Sequence, residues 1–326
     1  MKIHSIAFEF LEPFCDEYVD WVQDPGEADF ILTMNSGGRE GMEAMGYARS
    51  LADKYDKPLC WWTIEDPNAY AGFVAQARLA DYVFTSDRAC IPFYRRDCRH
   101  DRVFWLPLAA SEKFHRPLPL REDATDGIFT GNWYDTQWEA RRWGVQTVIL
   151  PLAEAGYSIT CFSLDEPPYP ILLREPNRWI GPTDPRSPGY YGATAEQYTW
   201  GKVALGVNNQ RSGMDGRGET VMTSMRTFEV LACGKPFLAA HSDAYEALGL
   251  SNALPDAPGK SFNQQRQDHM CWVTQQQETL DAACWLTLGR GEAEERWIAM
   301  AERGRAFVLA NHTYGHRMRA IMEVIG

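Results

Sequence analysis

The chain has 326 residues, of which 45% are hydrophobic and 13% aromatic, and its formal net charge is −12. This length is sufficient for two domains of ordinary size, and the apolar content excludes a disordered protein. The acidic balance offers no general attraction to nucleic acid or to an anionic membrane, and no apolar run reaches the length of a membrane span.

Eight cysteines are scattered along the chain without the spacing of metal ligands. This distribution is typical of small buried side chains in a reducing compartment. Glu9 and Glu12 interrupt the apolar N-terminus, which argues against a signal peptide and favours a first strand. We therefore expect a cytoplasmic protein with no membrane span and no metal site.

The N-terminal part alternates short apolar runs with helical stretches. Buried strands are predicted at Lys2–Phe8, Phe30–Met34, Leu59–Ile64, Tyr82–Ser86 and Val103–Leu108, and helices at Met42–Tyr55 and Ala69–Ala80. Strands that are separated by helices in this way indicate βαβ crossovers and a mainly parallel sheet.

A polar, proline-punctuated stretch at Ser111–Asp126 is the best candidate for a linker, and a second alternation follows it. Strands are predicted at Gly127–Gly131, Ser158–Phe162, Lys202–Val207, Pro236–Ala240 and Met270–Val273. The proline-rich stretch Asp165–Gly192 is predicted to lack regular elements. The predicted organisation is an N-terminal domain at 1–118, a second α/β domain at 119–310 and a final helix at 311–326.

The segment Ser224–Ala240 is the most informative part of the chain. Its apolar residues recur at helical spacing up to Gly234, which suits a left-handed helix end, and a short buried strand follows. Arg226 and Glu229 lie three positions apart and so share one face of the helix. The preceding loop, Asn208–Thr220, is rich in glycine, and a flexible loop that runs into a helix N-terminus favours anion binding.

This segment resembles the nucleotide-sugar helix of GT-B glycosyltransferases. The closer similarity is to the CgeB-like members, which carry Arg-x-Phe-Glu, here Arg226 to Glu229, followed by Ala-Cys-Gly. The resemblance extends to the segment GIFTGNWYDTQWEAR at 127–141 and to HTYGHRMRAIM at 312–322. One departure from the family pattern is Val221. Many retaining GT-B enzymes have a second glutamate eight positions before the one that corresponds to Glu229, and this chain has a valine there.

The resemblance implies two Rossmann-like α/β domains whose parallel sheets face a cleft, with the last helix packing back on the N-terminal domain. It also implies a nucleotide-diphosphate sugar as co-substrate, with no required cofactor and no metal. Glu229 is expected to accept hydrogen bonds from the ribose hydroxyls. The other expected donor-binding residues are Arg226, Ser224, Thr223, Gly131, Asn132, Arg141 and Arg211.

A transferase also needs a group that deprotonates the acceptor. Asp66 and Glu65 directly follow a predicted strand, at the end where ligands bind, and are our candidates for the general base. Asp66 precedes a proline, so a turn role is an alternative. His4, His100 and His115 are weaker candidates for the base.

The acceptor is left open by the sequence and includes a glycan, a protein, a small molecule or modified DNA. An arginine-rich stretch that contains Arg95, Arg96 and Arg99 predicts an acceptor or phosphate patch, or simply a solvated surface. A phage-type enzyme that acts on a hydroxylated base in DNA is therefore one alternative. Two others are a non-catalytic nucleotide-sugar-binding protein and an epimerase of the same fold.

Overall fold

The computed structural model describes the whole chain except residues 9–10, 35–37, 134–138, 183, 185–193, 209–219, 254–267 and 289–291. The chain forms two compact units. Unit 1 comprises Met1–Ala109, Glu219–Met222 and Thr313–Gly326, and unit 2 comprises Ala110–Gly218 and Thr223–His312. The chain therefore passes from one unit to the other several times, and neither unit is a single continuous segment.

Unit 1 is built on a six-stranded sheet in which every pairing is parallel. Its strands are β1 (Lys2–Ile6), β2 (Asp20–Trp21), β3 (Phe30–Thr33), β4 (Leu59–Thr63), β5 (Tyr82–Thr85) and β6 (Val103–Trp105), in the order β2-β1-β3-β4-β5-β6. Helices α1 (Glu12–Cys15), α2 (Gly38–Tyr55), α3 (Tyr70–Ala77) and α4 (Ile91–Cys98) connect them. All five residues of β4 are buried, as expected for a parallel sheet that is covered on both faces.

Unit 2 contains a second parallel sheet of six strands. Its strands are β7 (Thr125–Thr130), β8 (Ile159–Phe162), β9 (Arg178–Ile180), β10 (Gly201–Gly206), β11 (Phe237–Ala240) and β12 (Cys271–Val273), in the order β12-β11-β10-β7-β8-β9. The helices are α5 (Glu139–Gly144), α6 (Leu150–Glu154), α7 (Thr194–Gln197), α8 (Met225–Ala232), α9 (Ala244–Ala247), α10 (Gln276–Leu288) and α11 (Glu292–Asn311). The order places β7, β8 and β9 side by side, so their carboxyl ends meet at one edge.

The last helix, α12 (Tyr314–Ile325), belongs to unit 1. The Tyr314 ring stacks on Phe14 of α1 with 5.5 Å between the centroids. The buried guanidinium of Arg317 donates to the backbone carbonyls of Pro107 at 2.7 Å and Leu108 at 3.0 Å. Burial lowers the pKa of Arg317 to about 10. The helix is thus held by ring packing and by a cation that satisfies two carbonyls.

The predicted strands are present, with ends that differ by a few residues. The prediction that Asp165–Gly192 has no regular element is wrong, because β9 forms there and pairs with β8. β9 is an edge strand of only three residues. Prolines can flank such a strand, because an edge strand uses its backbone donors on one side only. In the described part of the chain, the helices are too short or too polar to cross a membrane.

Candidate functional site

Helix α8 is fixed at both ends by its own sequence. Ser224 has an extended backbone, and its hydroxyl accepts a hydrogen bond from the Arg226 backbone N–H at 3.3 Å, as an N-cap residue does. Gly234, beyond the last turn, has a φ of 64°, a left-handed conformation that glycine adopts without strain. The predicted glycine end of this helix is confirmed.

Asn208 ties the start of α8 to the end of β10. Its Oδ1 accepts from the Ser224 backbone N–H and from the Thr223 hydroxyl, both at 3.3 Å. The Thr223 hydroxyl also lies 2.8 Å from the hydroxyl of Thr227. Thr223 and Ser224 therefore organise the helix start at which they were predicted to bind donor. Arg211, which was predicted in the preceding loop, lies outside the described residues.

An ion pair inside unit 2 joins the two charged residues of α8. Arg226 Nη1 lies 2.7 Å from Glu229 Oε2, and Arg226 Nε donates to the carbonyl of Thr130 at 3.1 Å. The Glu229 side chain is 1% exposed, whereas that of Arg226 is 26% exposed. The carboxylate is thus buried behind the arginine, and the arginine is the member of the pair that reaches the surface.

His115 lies on the other side of the Glu229 carboxylate. Its Nε2 is 3.6 Å from Glu229 Oε1, and its Nδ1 accepts a hydrogen bond from the Ser111 backbone N–H at 2.9 Å. Burial lowers the pKa of His115, although the nearby carboxylate opposes this change. Sequence reasoning placed His115 only among weak candidates for a base and missed this contact. No local pattern signals it, because the two residues lie far apart in the chain.

A cavity of about 170 Å³ opens at the carboxyl ends of β7, β8 and β9. It is lined by Thr130, Gly131, Asn132, Phe162, Ser163, Leu164, Ile180, Gly181, Pro182, Gln197 and Arg226. The structure therefore brings three of the predicted donor-binding residues, Gly131, Asn132 and Arg226, to one concave surface. Among the described residues that line it, Arg226 carries the positive charge, so the cavity is suited to a ligand that combines a ring with an anionic group.

Arg141 lies next to this loop, but its guanidinium faces the protein backbone. It donates to the carbonyls of Trp133 at 3.2 Å and Val207 at 2.9 Å and also to the carbonyl of Asn132. The side chain is buried, and it lies over the ring of Phe129. These contacts hold the loop that lines the cavity, while a phosphate contact by Arg141 stays a prediction.

In unit 1, Asp66 is completely buried at the carboxyl end of the sheet. Its Oδ2 accepts from the Thr85 hydroxyl at 2.6 Å and its Oδ1 from the Tyr94 hydroxyl at 2.9 Å. Burial raises the pKa of Asp66 to about 7, despite these hydrogen bonds. Glu65 is exposed. A pKa near neutrality suits a base, whereas burial and two occupied oxygens suit a structural carboxyl, so the base role stays a prediction.

A second buried carboxylate, Asp87, was missed from the sequence. It accepts from the Thr220 hydroxyl at 2.6 Å, the Val221 backbone N–H at 2.7 Å and the Ala89 backbone N–H at 2.9 Å. It thereby fixes the short segment that leads into α8 to the sheet of unit 1. The available signal was its position directly after β5, which matches that of Asp66 after β4.

The predicted arginine patch lies at the opposite, amino-terminal edge of the unit 1 sheet, because it stands at the end of α4 and before β6. Arg95 donates to the carbonyl of Val103 at 3.3 Å, and Arg96 contacts the Asp97 carboxylate at 2.7 and 3.0 Å. Arg99 has a left-handed φ of 62° and ends the helix. Two of the three predicted arginines are thus bonded within their own unit, and a role in acceptor binding stays a prediction.

Two parallel α/β units with this strand order define the fold as the GT-B type, which confirms the predicted fold class. Residues 176–323, a little under half of the chain, match a protein family described as glycosyl transferase-like. No curated protein matches this chain. Across the described residues, no three His, Cys, Asp or Glu side chains come together as a set of metal ligands.

Solved structures with the same fold cover almost the entire chain. HepE of Anabaena, in complex with UDP and glucose, is 12% identical and has a TM-score of 0.61, with 100% of this chain and 99% of HepE covered. A glycosyltransferase from Rickettsia africae is 10% identical with a TM-score of 0.56, at 99% and 96% coverage. The catalytic domain of starch synthase IV from Arabidopsis thaliana, bound to ADP and acarbose, is 10% identical with a TM-score of 0.54, at 91% and 72% coverage.

Proposed function

We propose that the protein is a glycosyltransferase that takes a sugar from a nucleotide-diphosphate sugar bound to unit 2. The observation that carries the proposal is Arg226, a cation that lines the cavity at the carboxyl ends of β7, β8 and β9 and is anchored by a buried carboxylate. Ligands of parallel α/β units bind at this edge of the sheet. The match of residues 176–323 to a glycosyltransferase-like family supports the proposal, as does a fold shared with HepE, whose complex contains UDP.

The charge of Arg226 fits the chemistry of the transfer. When the bond between the sugar and the diphosphate breaks, negative charge develops on the departing diphosphate. A guanidinium offers paired donors that suit phosphate oxygens, so Arg226 supplies this stabilisation without a metal ion in the proposed mechanism. A cavity of about 170 Å³ holds one ring of the donor rather than the whole molecule.

The acceptor in this proposal is a hydroxyl group, carried by a glycan, a protein, a small molecule or a modified base. For an inverting transfer, we propose Asp66 as the base, because a pKa of about 7 allows it to take a proton near neutral pH. The acceptor hydroxyl would then replace the hydrogen bond from Thr85 or Tyr94. The narrower CgeB-like assignment stays a prediction.

A thermal-shift screen of nucleoside diphosphates and nucleotide sugars tests donor binding. A ligand that binds only the folded protein adds about 2.7 kcal/mol to stability at 100 times its Kd. We expect one nucleotide class to stabilise the wild type and the shift to fall strongly in Arg226→Gln. The matched control is Arg39→Gln, which removes the same charge from an exposed position in unit 1.

Release of the free nucleoside diphosphate from the stabilising nucleotide sugar then tests turnover. Slow hydrolysis without an acceptor, faster in the presence of one, is the expected result. If no nucleotide changes the melting temperature, the proposed donor site is wrong. A shift without any turnover across acceptor classes would instead favour a nucleotide-sugar-binding protein, and conversion of the sugar without an acceptor would favour an epimerase.

A further inference from the structure

The tautomer of His115 follows from its hydrogen bonding. The Ser111 backbone N–H donates to Nδ1 at 2.9 Å, so this nitrogen carries a lone pair. Burial favours the neutral imidazole. In a neutral ring whose Nδ1 is an acceptor, the proton resides on Nε2. The N–H bond of His115 is therefore on the nitrogen that lies 3.6 Å from Glu229 Oε1.

The two oxygens of Glu229 face two different partners. Oε2 pairs with Arg226 Nη1 at 2.7 Å, and Oε1 is the oxygen nearest to His115. The distance of 3.6 Å to the imidazole is longer than a hydrogen bond, so this contact is an electrostatic one between an N–H dipole and a carboxylate. The Tyr198 ring is also buried near Glu229, and its hydroxyl lies 3.2 Å from that of Thr130.

Arg226 is consequently held at two points before any ligand arrives. Its Nη1 is fixed by the carboxylate and its Nε by the carbonyl of Thr130, while the side chain lines the cavity. An arginine that is already ordered loses less rotamer freedom when it binds an anion. The buried carboxylate is thus placed to act on a ligand through the arginine.

We infer that His115 is a positioning residue for the nucleotide site, because it fixes the Glu229 carboxylate and through it the cavity-lining guanidinium of Arg226. This inference rests on the proposed function, since the ligand of Arg226 is taken to be the diphosphate of the donor. It gives Glu229 a role that does not require contact with the ribose. It also assigns a role to a histidine that is remote in sequence from the α8 motif.

Two amide variants of His115 separate the roles of its two ring nitrogens. Asn carries its polar atom near the position of Nδ1, so His115→Asn keeps an acceptor for the Ser111 N–H and loses the donor that faces Glu229. Gln carries its amide nitrogen near the position of Nε2, so His115→Gln keeps that donor and loses the Ser111 acceptor. We expect His115→Asn to weaken binding of the nucleoside diphosphate by about fivefold and His115→Gln to bind like the wild type.

The probe is UDP, or the nucleoside diphosphate that stabilises the wild type in the screen above, and Kd is measured by calorimetry. Combining His115→Asn with Arg226→Gln gives a double-mutant cycle. If His115 acts through the arginine, His115→Asn has no further effect on Kd in the Arg226→Gln background. If the two substitutions instead weaken binding by factors that multiply in the double variant, His115 only supports the local fold and the inference is wrong.

The remaining outcomes are also decisive. If His115→Gln loses affinity and His115→Asn retains it, the contact with Ser111 is the important one and the inference fails. If His115→Asn does not fold, Glu229→Gln replaces it in the cycle and tests whether the carboxylate between His115 and Arg226 acts through the arginine. Coupling to Arg226→Gln is the expected result, and its absence would make the inference wrong. Failure of every nucleotide to bind the wild type refutes the proposed function itself, which is a distinct outcome from wild-type binding without coupling.

Discussion

The buried carboxyl of Asp66 predicts a pH dependence of stability. Its pKa is about 7 in the folded protein, mainly because of burial, and about 3.9 in an unfolded chain. The folded state therefore holds the proton more tightly, and stability falls as the pH rises between these two values. The contribution is fully present below about pH 4 and is lost as the pH rises through about 7.

The expected size of this effect follows from the two pKa values. Between pH 5 and pH 8, ionisation of Asp66 removes about 2.5 kcal/mol from the free energy of unfolding. Asp66→Asn replaces the carboxyl with a neutral group of the same shape that still offers one acceptor and one donor to Thr85 and Tyr94. The variant is expected to lose this part of the pH dependence. Its stability relative to the wild type should therefore be higher at pH 8 than at pH 5.

Urea unfolding is measured at pH 5, 6, 7 and 8 for the wild type and Asp66→Asn side by side. The difference between their free energies of unfolding isolates Asp66, because the other titrating groups are common to both proteins. Glu65→Gln is the control, because it removes the neighbouring but exposed carboxylate and should leave the pH dependence unchanged. A difference between wild type and Asp66→Asn that is constant with pH would refute the assignment of a raised pKa. Turnover of the same variant, measured once a donor is known, tests the predicted role as a base.

Two further predictions concern packing and hydrogen bonding. Gly206→Ala would place a Cβ in steric clash with the Phe237 ring, so a loss of about 1 to 3 kcal/mol is expected in thermal or urea unfolding. Gly46→Ala is the control, since nothing lies within 4 Å of the added Cβ, and no loss should appear there. Arg317→Met leaves the carbonyls of residues 107–108 without their donor and should lower the free energy of unfolding by about 2 to 3 kcal/mol. A variant as stable as the wild type would contradict the role of these hydrogen bonds in holding α12.

Local patterns predicted much of the fold correctly. The apolar run of β4 and the glycine end of α8 are determined by residues that are adjacent in sequence, so they are readable without a structure. β9 was not predicted, because three residues between prolines carry little periodic signal and its pairing depends on β8. Edge strands of this kind are decided by the sheet rather than by their own composition.

The candidate site was predictable only in its local part. Arg226 and Glu229 were recognisable because they lie one helical turn apart on the same face. The partners of these residues, His115 and Thr130, come from distant segments, so their proximity depends on tertiary structure. The carbonyls to which Arg141 donates were equally out of reach of the sequence, since an arginine next to a glycine loop has the pattern of a phosphate contact and gives no sign of its backbone partners.

The placement of α12 in unit 1 has a consequence for biosynthesis. The ribosome makes the sheet of unit 1 early, but Tyr314, which stacks on Phe14, emerges only after all of unit 2 has been translated. Domains near the N-terminus generally fold first during synthesis. Here the packing of unit 1 is completed only after residues 110–312 have been translated, because Phe14 meets its ring partner Tyr314 no earlier than that.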